Sequence, residues 1–176
     1  AGHKLRHQRE RRHESDAETG RQRRHRRGRR RRGAGRSAGV GGADARAAQG
    51  LREDGAEDGR VVAIGEIGLD YYYDHADRQA QKKAFDEQLG LAAELSLPVV
   101  IHTREADDDT RAILANHSSS LKRKGVIHSF TSSLSLAEFC LGEGFMLGFN
   151  GITTFRNADN VRAVVDATPL ERIVML

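Results

Sequence analysis

The large apolar side chains of this sequence are confined almost entirely to residues 61–176, and this division limits what can fold. Of the types Val, Ile, Leu, Met, Phe, Tyr and Trp, the segment 1–60 contains only Leu5, Val40 and Leu51. A segment that buries so little apolar surface cannot offset the conformational entropy that it loses on ordering. We therefore expect residues 1–60 to be disordered and the folded domain to begin near Val61.

The segment 1–60 is also strongly basic. It holds 18 Lys and Arg residues against 9 Asp and Glu residues, a net charge of +9, and nine Arg lie within residues 21–32. Such a block can be an arm that contacts nucleic-acid phosphates without sequence preference, or a tail with no selected partner. We favour a third interpretation. The bias toward Arg, Gly and Ala, with one Lys and no Ile, Phe or Tyr, is typical of a GC-rich stretch read out of frame.

From Val61 onward, short apolar runs alternate with longer amphipathic segments, which predicts β/α units and a mostly parallel sheet. One predicted strand ends near Glu66, and four others cover Pro98–Ile101, Gly125–Ile127, Phe145–Phe149 and Ile173–Leu176. Predicted helices cover Asp77–Leu95, a segment opening at Asp107–Asp109, one opening at Ser135–Glu138, and Asp159–Ala167. Five strands are too few for a whole (β/α)₈ barrel, which needs about 250 residues. Residues 61–176 are therefore an open α/β sheet or part of a TIM-like barrel.

Three of these apolar runs are followed directly by a side chain that can bind a metal: Glu66, His102 and His128. Parallel strands point the same way, so the residues that close them collect at one edge of the sheet, where such folds hold their active sites. A carboxylate with two imidazoles suits Zn²⁺, Mn²⁺ or Mg²⁺, with a bound water as nucleophile. Taken singly, Glu66 could be solvated in a loop and each His could be structural.

Other side chains near these strand ends have two interpretations. Arg104 can meet an anionic substrate oxygen, or it can form a surface ion pair with Glu105 or with the acidic residues 107–109. Asp70 can orient a neighbouring His or cap the turn before Tyr71, and the cap is the favoured interpretation. The tyrosines 71–73 can stack on a base or line the mouth of a pocket.

The sequence also indicates where the protein works. One cysteine, Cys140, excludes an intrachain disulfide and fits a reducing compartment. No run approaches the roughly 18 apolar residues of a membrane span, and an apolar signal core is absent. We expect a cytoplasmic protein without membrane contact, and nothing in the sequence calls for an obligate protein partner.

Several motifs in order resemble the TatD family of metal-dependent deoxyribonucleases. The matching segments are Ala63–Tyr72 (AIGEIGLDYY), Leu97–Arg104 (LPVVIHTR), Gly125–Thr131 (GVIHSFT), Gly148–Gly151 (GFNG) and Pro169–Arg172 (PLER). The resemblance implies a TIM-like barrel, two divalent metal ions (Mg²⁺ or Mn²⁺ favoured, Zn²⁺ possible), and hydrolysis of DNA from the 3′ end. It makes Glu66 the bridging carboxylate, with His102 and His128 as further ligands. Ser129 stands where the family commonly has Cys.

Two departures from the family pattern predict an impaired enzyme. The His-x-His pair of the family's first strand has no counterpart in residues 1–60, and the sequence stops at Leu176, just before the family's Glu-Thr-Asp motif. Half of the expected ligands remain, so we expect a fragment that binds metal weakly and is nearly inactive. Two rival functions stay open: an amidohydrolase-like deacylase, and a non-enzymatic nucleic-acid binder that acts through the basic segment.

Overall fold

The computed structural model describes residues 61–176, so the predictions of disorder and of an out-of-frame origin for residues 1–60 lie outside the described residues. The strands are β1 (Ile64–Asp70), β2 (Val99–Arg104), β3 (Gly125–Ile127), β4 (Met146–Phe149) and β5 (Ile173–Met175). The α-helices are α1 (Arg78–Leu95), α2 (Asp107–His117), α3 (Leu134–Gly142) and α4 (Asp159–Ala167). Short 3₁₀ turns at Gly151–Thr154 and Leu170–Arg172 precede α4 and β5.

The helices begin and end where local chemistry dictates. Asp77 caps α1 because its carboxylate accepts hydrogen bonds from the first free backbone N–H groups, and Ser96 ends the helix in a left-handed conformation. The buried face of α1 carries Phe85, Leu89 and Ala92, as the helical spacing predicts. The predicted start of α3 at Ser135 is wrong. Ser133 rather than Ser135 accepts the hydrogen bond from Leu136 N, so α3 begins with Leu134.

The sheet is entirely parallel, and its strands lie in sequence order from β1 to β5. Because parallel crossovers are almost always right-handed, an order that never reverses places every helix on one face. Each helix contacts the next along the chain, as in the outer layer of a barrel. In β2, Val99, Ile101 and Thr103 are buried toward the helices, whereas Val100, His102 and Arg104 alternate with them and are half-buried. We call this second face the inner face. The predicted parallel sheet of five strands is confirmed.

Strand β1 departs from the predicted bounds. It does not end near Glu66 but continues to Asp70. Ile64 pairs with Val99 and Ile67 with Ile101, so three steps along β1 match two along β2. This bulge lets both Ile64 and Ile67 be buried while Glu66, between them in sequence, is exposed on the other face. Regular alternation would have placed Ile64 and Glu66 on the same face.

The core lies between the sheet and the helices and is built around fully buried aromatic and aliphatic side chains. The largest are Phe85, Phe130, Phe145, Phe149, Leu69, Leu89, Ile101, Leu114, Ile127 and Leu147. Cys140 is buried among them, and burial raises the pKa of its thiol to about 12. Among residues 61–176, none of the helices has both the length and the apolar composition needed to cross a membrane.

Candidate metal centre

The structure brings together the three residues that the sequence singled out. Nδ1 of His128 lies 2.8 Å from Oε1 of Glu66, and Nδ1 of His102 lies 3.8 Å from the same oxygen. The side chains of Glu66, His102 and His128 remain 43, 36 and 37% exposed, so a ligand can reach all three. We call them the Glu66 cluster.

Strand register explains why these side chains meet. Ile101 pairs with Ile127, and His128 N donates a hydrogen bond to the carbonyl of Ile101 at 2.7 Å. His102 and His128, each one residue further along, therefore lie at the same level on neighbouring strands. On the other side of β2, Gly68 pairs with His102, which brings β1 and its carboxylate alongside.

Gly68 is required for that close approach. Its φ is +130°, and a Cβ built on it would lie 1.9 Å from the carbonyl oxygen of His102. L-residues rarely adopt this conformation, and there is no space for a side chain in any case. This glycine, close to Glu66 in sequence, thus fixes the distance between β1 and β2 at the level of the cluster.

Asp70 performs both of the tasks that its sequence position suggested. Its Oδ1 accepts hydrogen bonds from the backbone N–H groups of Tyr72 and Tyr73, at 3.0 and 2.9 Å. Its Oδ2 lies 2.9 Å from Nε2 of His102. Burial raises the pKa of Asp70, but the bonds from Tyr73 and His102 outweigh it and hold the pKa below the usual value. An ionised carboxylate only accepts, so Nε2 of His102 is the donor and, in the neutral ring, Nδ1 keeps a lone pair toward Glu66.

The cluster as it stands is held by hydrogen bonds. Within residues 61–176, no group of three His, Cys, Asp or Glu side chains is arranged to hold a metal ion. At 2.8 Å, His128 and Glu66 form a direct hydrogen bond and are closer than two ligands of one ion. The donor set itself, one carboxylate and two imidazoles with an oriented ring, is of the kind that binds divalent transition metals.

Arg104 lies on the inner face beyond His102, against the tyrosines that follow β1. Its guanidinium lies 4.2 Å above the ring of Tyr72 and 5.4 Å from the centre of Tyr73. Among the described residues it forms no ion pair with Glu105 or with the acidic residues 107–109. Arg104 also lines a cleft of about 1340 Å³, bounded by the loops before α2, α3 and α4, and the Glu66 cluster lies outside that cleft.

Two polar residues beside the cluster were not identified as site residues from the sequence. Asn150 Nδ2 donates to Ser129 Oγ at 2.9 Å, and Asn150 Oδ1 accepts from Ile152 N at 2.9 Å. Ser129 has a positive φ of 49°, and its hydroxyl lies 3.4 Å from Nδ1 of His128. Asn150 follows β4 directly, so the strand-end rule that found His128 could have found it too.

Comparison with known proteins adds a family and a set of relatives. A sequence model of the family described as "TatD related DNase" matches residues 36–175, so the match begins upstream of Val61. YcfH of Escherichia coli K12, named as a metal-dependent hydrolase, is 42% identical over 125 residues, covering 71% of this chain and 46% of the relative. A protein of Erwinia tasmaniensis named "3'-5' ssDNA/RNA exonuclease TatD" is 40% identical over 121 residues, covering 68% and 46%.

A solved structure agrees with the family model and with these relatives. The crystal structure of YJJV, a TatD homologue from Escherichia coli K12, matches with a TM-score of 0.65 and 36% identity over 72% of this chain and 47% of that one. This match supports the prediction of a partial barrel rather than that of an open sheet. The chain spans about half the length of the curated relatives it matches.

Proposed function

This chain belongs to the TatD-related DNase family of metal-dependent hydrolases, and we propose that Glu66, His102 and His128 are its ligands to a divalent-metal centre that hydrolyses DNA phosphodiester bonds. One observation carries the proposal: a nitrogen of each histidine faces the same oxygen of Glu66, at 2.8 and 3.8 Å, on the inner face near the carboxyl end of the sheet. Active sites of β/α barrels lie at that end.

The observed distances differ from those between two ligands of one ion, and the differences are small. With metal–ligand bonds of about 2.1 Å, two ligands at a tetrahedral or octahedral angle lie about 3.0–3.4 Å apart. The His128–Glu66 distance would have to lengthen and the His102–Glu66 distance to shorten, each by about half an ångström. Side-chain rotation supplies this, because all three groups are partly exposed.

The remaining residues prepare the site for an anionic substrate. When bound, the metal supplies positive charge for the phosphoryl oxygens and lowers the pKa of a water. Asp70 holds the ring of His102 with its Nδ1 free to ligate. The guanidinium of Arg104 offers several N–H donors for a phosphate oxygen.

Finer features of the activity follow from the donor set and the relatives. The carboxylate favours Mg²⁺ or Mn²⁺, the imidazoles admit Zn²⁺, and we infer two ions in an intact site. The name of the Erwinia tasmaniensis relative supports a single-stranded substrate degraded from its 3′ end. A reducing, cytoplasmic setting fits the free and buried Cys140.

Metal binding and hydrolysis test the proposal separately. Binding of Mn²⁺ to the full chain, followed by titration calorimetry, should be lost in Glu66→Gln and kept in Glu138→Gln, which changes an exposed carboxylate on α3. Any metal-dependent degradation of 3′-labelled single-stranded DNA should likewise be lost in Glu66→Gln and kept in Glu138→Gln. Equal Mn²⁺ affinity in the wild type and Glu66→Gln would overturn the ligand assignment. Hydrolysis of small amides, with DNA untouched, would overturn the substrate and favour a deacylase.

A further inference from the structure

Two of the three consecutive tyrosines after β1 leave their rings in solvent. Tyr72 and Tyr73 are 53 and 57% exposed, whereas Tyr71 is half-buried against the core. The hydroxyl of Tyr71 donates to Asp109 at 2.6 Å, and the guanidinium of Arg78 covers its ring at 4.3 Å. Tyr71 therefore anchors the segment, and packing does not account for the two exposed rings.

The segment that carries these rings is held firmly for an exposed loop. Asp70 Oδ1 accepts from both Tyr72 N and Tyr73 N, and Tyr71 N donates to the carbonyl of Arg104 at 2.9 Å. A surface that is already ordered loses little further entropy when a ligand binds. The exposed rings are thus preorganised.

The side chains around the rings leave one of them available. Tyr73 stacks on His75, with ring centres 5.6 Å apart and planes within 4°, and meets Tyr72 edge to face at 4.9 Å. Arg104 lies over one face of Tyr72 at 4.2 Å. Tyr72 therefore has a cation on one side, a supporting ring at its edge, and more than half of its surface open to solvent.

These rings lie next to the Glu66 cluster. Asp70 bonds the tyrosine segment through Oδ1 and His102 through Oδ2. Arg104 follows His102 by two residues on the same face of β2, which is a distance of about 6.6 Å along a strand. A group stacked on Tyr72 is thus held beside the place where the phosphate would react.

We propose that Tyr72 is the stacking surface for an unpaired nucleobase of single-stranded nucleic acid. Arg104 backs its ring and contacts the adjoining phosphate, and Tyr73 with His75 holds it in place. Every base has a π face, so such a surface accepts any sequence, and stacking contributes about 1–3 kcal/mol per base. The inference rests on the proposed function for its ligand, and it assigns a positioning role to residues outside the Glu66 cluster.

The test compares the affinities for two oligonucleotides, because the contribution of phosphate contacts cancels in their ratio. Fluorescence anisotropy measures binding of the full chain to a labelled single-stranded pentamer and to the same pentamer with an abasic 3′ nucleotide, in EDTA so that nothing is cleaved. The wild type should bind the intact pentamer about 5- to 150-fold more tightly than the abasic one. Tyr72→Ala should bring this ratio close to 1, and Tyr72→Phe should keep it. Phe155→Ala, which removes another exposed aromatic (58%), should leave it unchanged.

Each other outcome overturns the inference. An unchanged ratio in Tyr72→Ala shows that no base stacks there. An equal loss of affinity for both pentamers shows that the ring supports the fold or the charge distribution only. Because no metal is present, failure of the proposed nuclease centre is seen separately, in the Mn²⁺ titration of Glu66→Gln.

Discussion

Gly68→Ala tests the claim that the approach of two backbones positions the Glu66 cluster. The added Cβ would lie 1.9 Å from the carbonyl oxygen of His102, whereas an unstrained carbon–oxygen contact is about 3.3 Å. β1 and β2 would have to separate by about 1.4 Å, or the carbonyl would have to turn out of the parallel ladder. Either response displaces His102 from Glu66.

The cost follows from two physical terms. A residue with a side chain held at a φ of +130° costs about 1–3 kcal/mol in backbone strain, and forcing a packed region apart costs about 1–3 kcal/mol more. The sum, about 2–6 kcal/mol, is a large part of the roughly 5–15 kcal/mol that stabilises a typical domain. For a domain of this size the melting temperature should fall by about 10 °C or more.

Gly90→Ala is the matched control because it makes the same chemical change where space is free. Gly90 lies in α1, and a Cβ there meets no atom within 4 Å, so alanine should stabilise the helix by about 0.5–1 kcal/mol. Thermal unfolding of both variants, followed by circular dichroism, gives the comparison. A Gly68→Ala protein within about 1 kcal/mol of the wild type, or equal losses in both variants, would refute the reasoning.

Four further predictions concern the core and its surroundings. Phe85→Ala should cost about 3–5 kcal/mol in urea denaturation, since Phe85 is fully buried, whereas Val62→Ala, at a site 72% exposed, should change stability by less than about 0.5 kcal/mol. Cys140 should resist thiol reagents at pH 8 in the native protein and react at once in guanidinium, because burial raises its pKa; fast native labelling would contradict the buried site. Burial and the bond to Asp109 raise the pKa of Tyr71, so its contribution is complete below about pH 10 and is lost above it; Tyr71→Phe should flatten the loss of stability at high pH. The hydrogen bonds from Tyr71 and Lys82 lower the pKa of Asp109, so the contribution of Asp109 to stability is lost below about pH 4. Asp109→Asn should therefore reduce the loss of unfolding free energy at acid pH, measured by urea denaturation.

The helices and the parallel direction of the strands were predictable because they depend on local periodicity. α4 begins and ends at the predicted residues, Asp159 and Ala167, because Val161 and Val164 share a face and Thr168-Pro169 stops the helix. The parallel order followed from the alternation of short apolar and longer amphipathic segments. Neither prediction required knowledge of distant contacts.

The bounds of β1 were not predictable in the same way. The apolar run that predicted β1 stops at Glu66, so the sequence assigned no structural role to Gly65 or Gly68. In the structure both lie within β1, where Gly68 admits the backbone of His102 and Gly65 lies against Val100. That requirement comes from the neighbouring strand, so a single sequence does not reveal it.

The candidate site was predictable in its members and not in their partners. Residues that close or nearly close parallel strands had to collect at one edge, which brought Glu66, His102 and His128 together. The ring partners of Arg104 could not be foreseen, because Tyr72 follows a different strand and meets it only through the register of Asp70 with Arg104.

The carboxylate of Asp70 couples ligand binding at the tyrosine segment to ligand binding at the Glu66 cluster. One oxygen holds the tyrosine segment and the other holds His102, and a planar group cannot turn toward one partner without turning from the other. A base that stacks on the tyrosine rings and an ion that binds His102 therefore both affect the orientation of the Asp70 carboxylate. By thermodynamic linkage, the factor by which the ion changes affinity for the base equals the factor by which the base changes affinity for the ion.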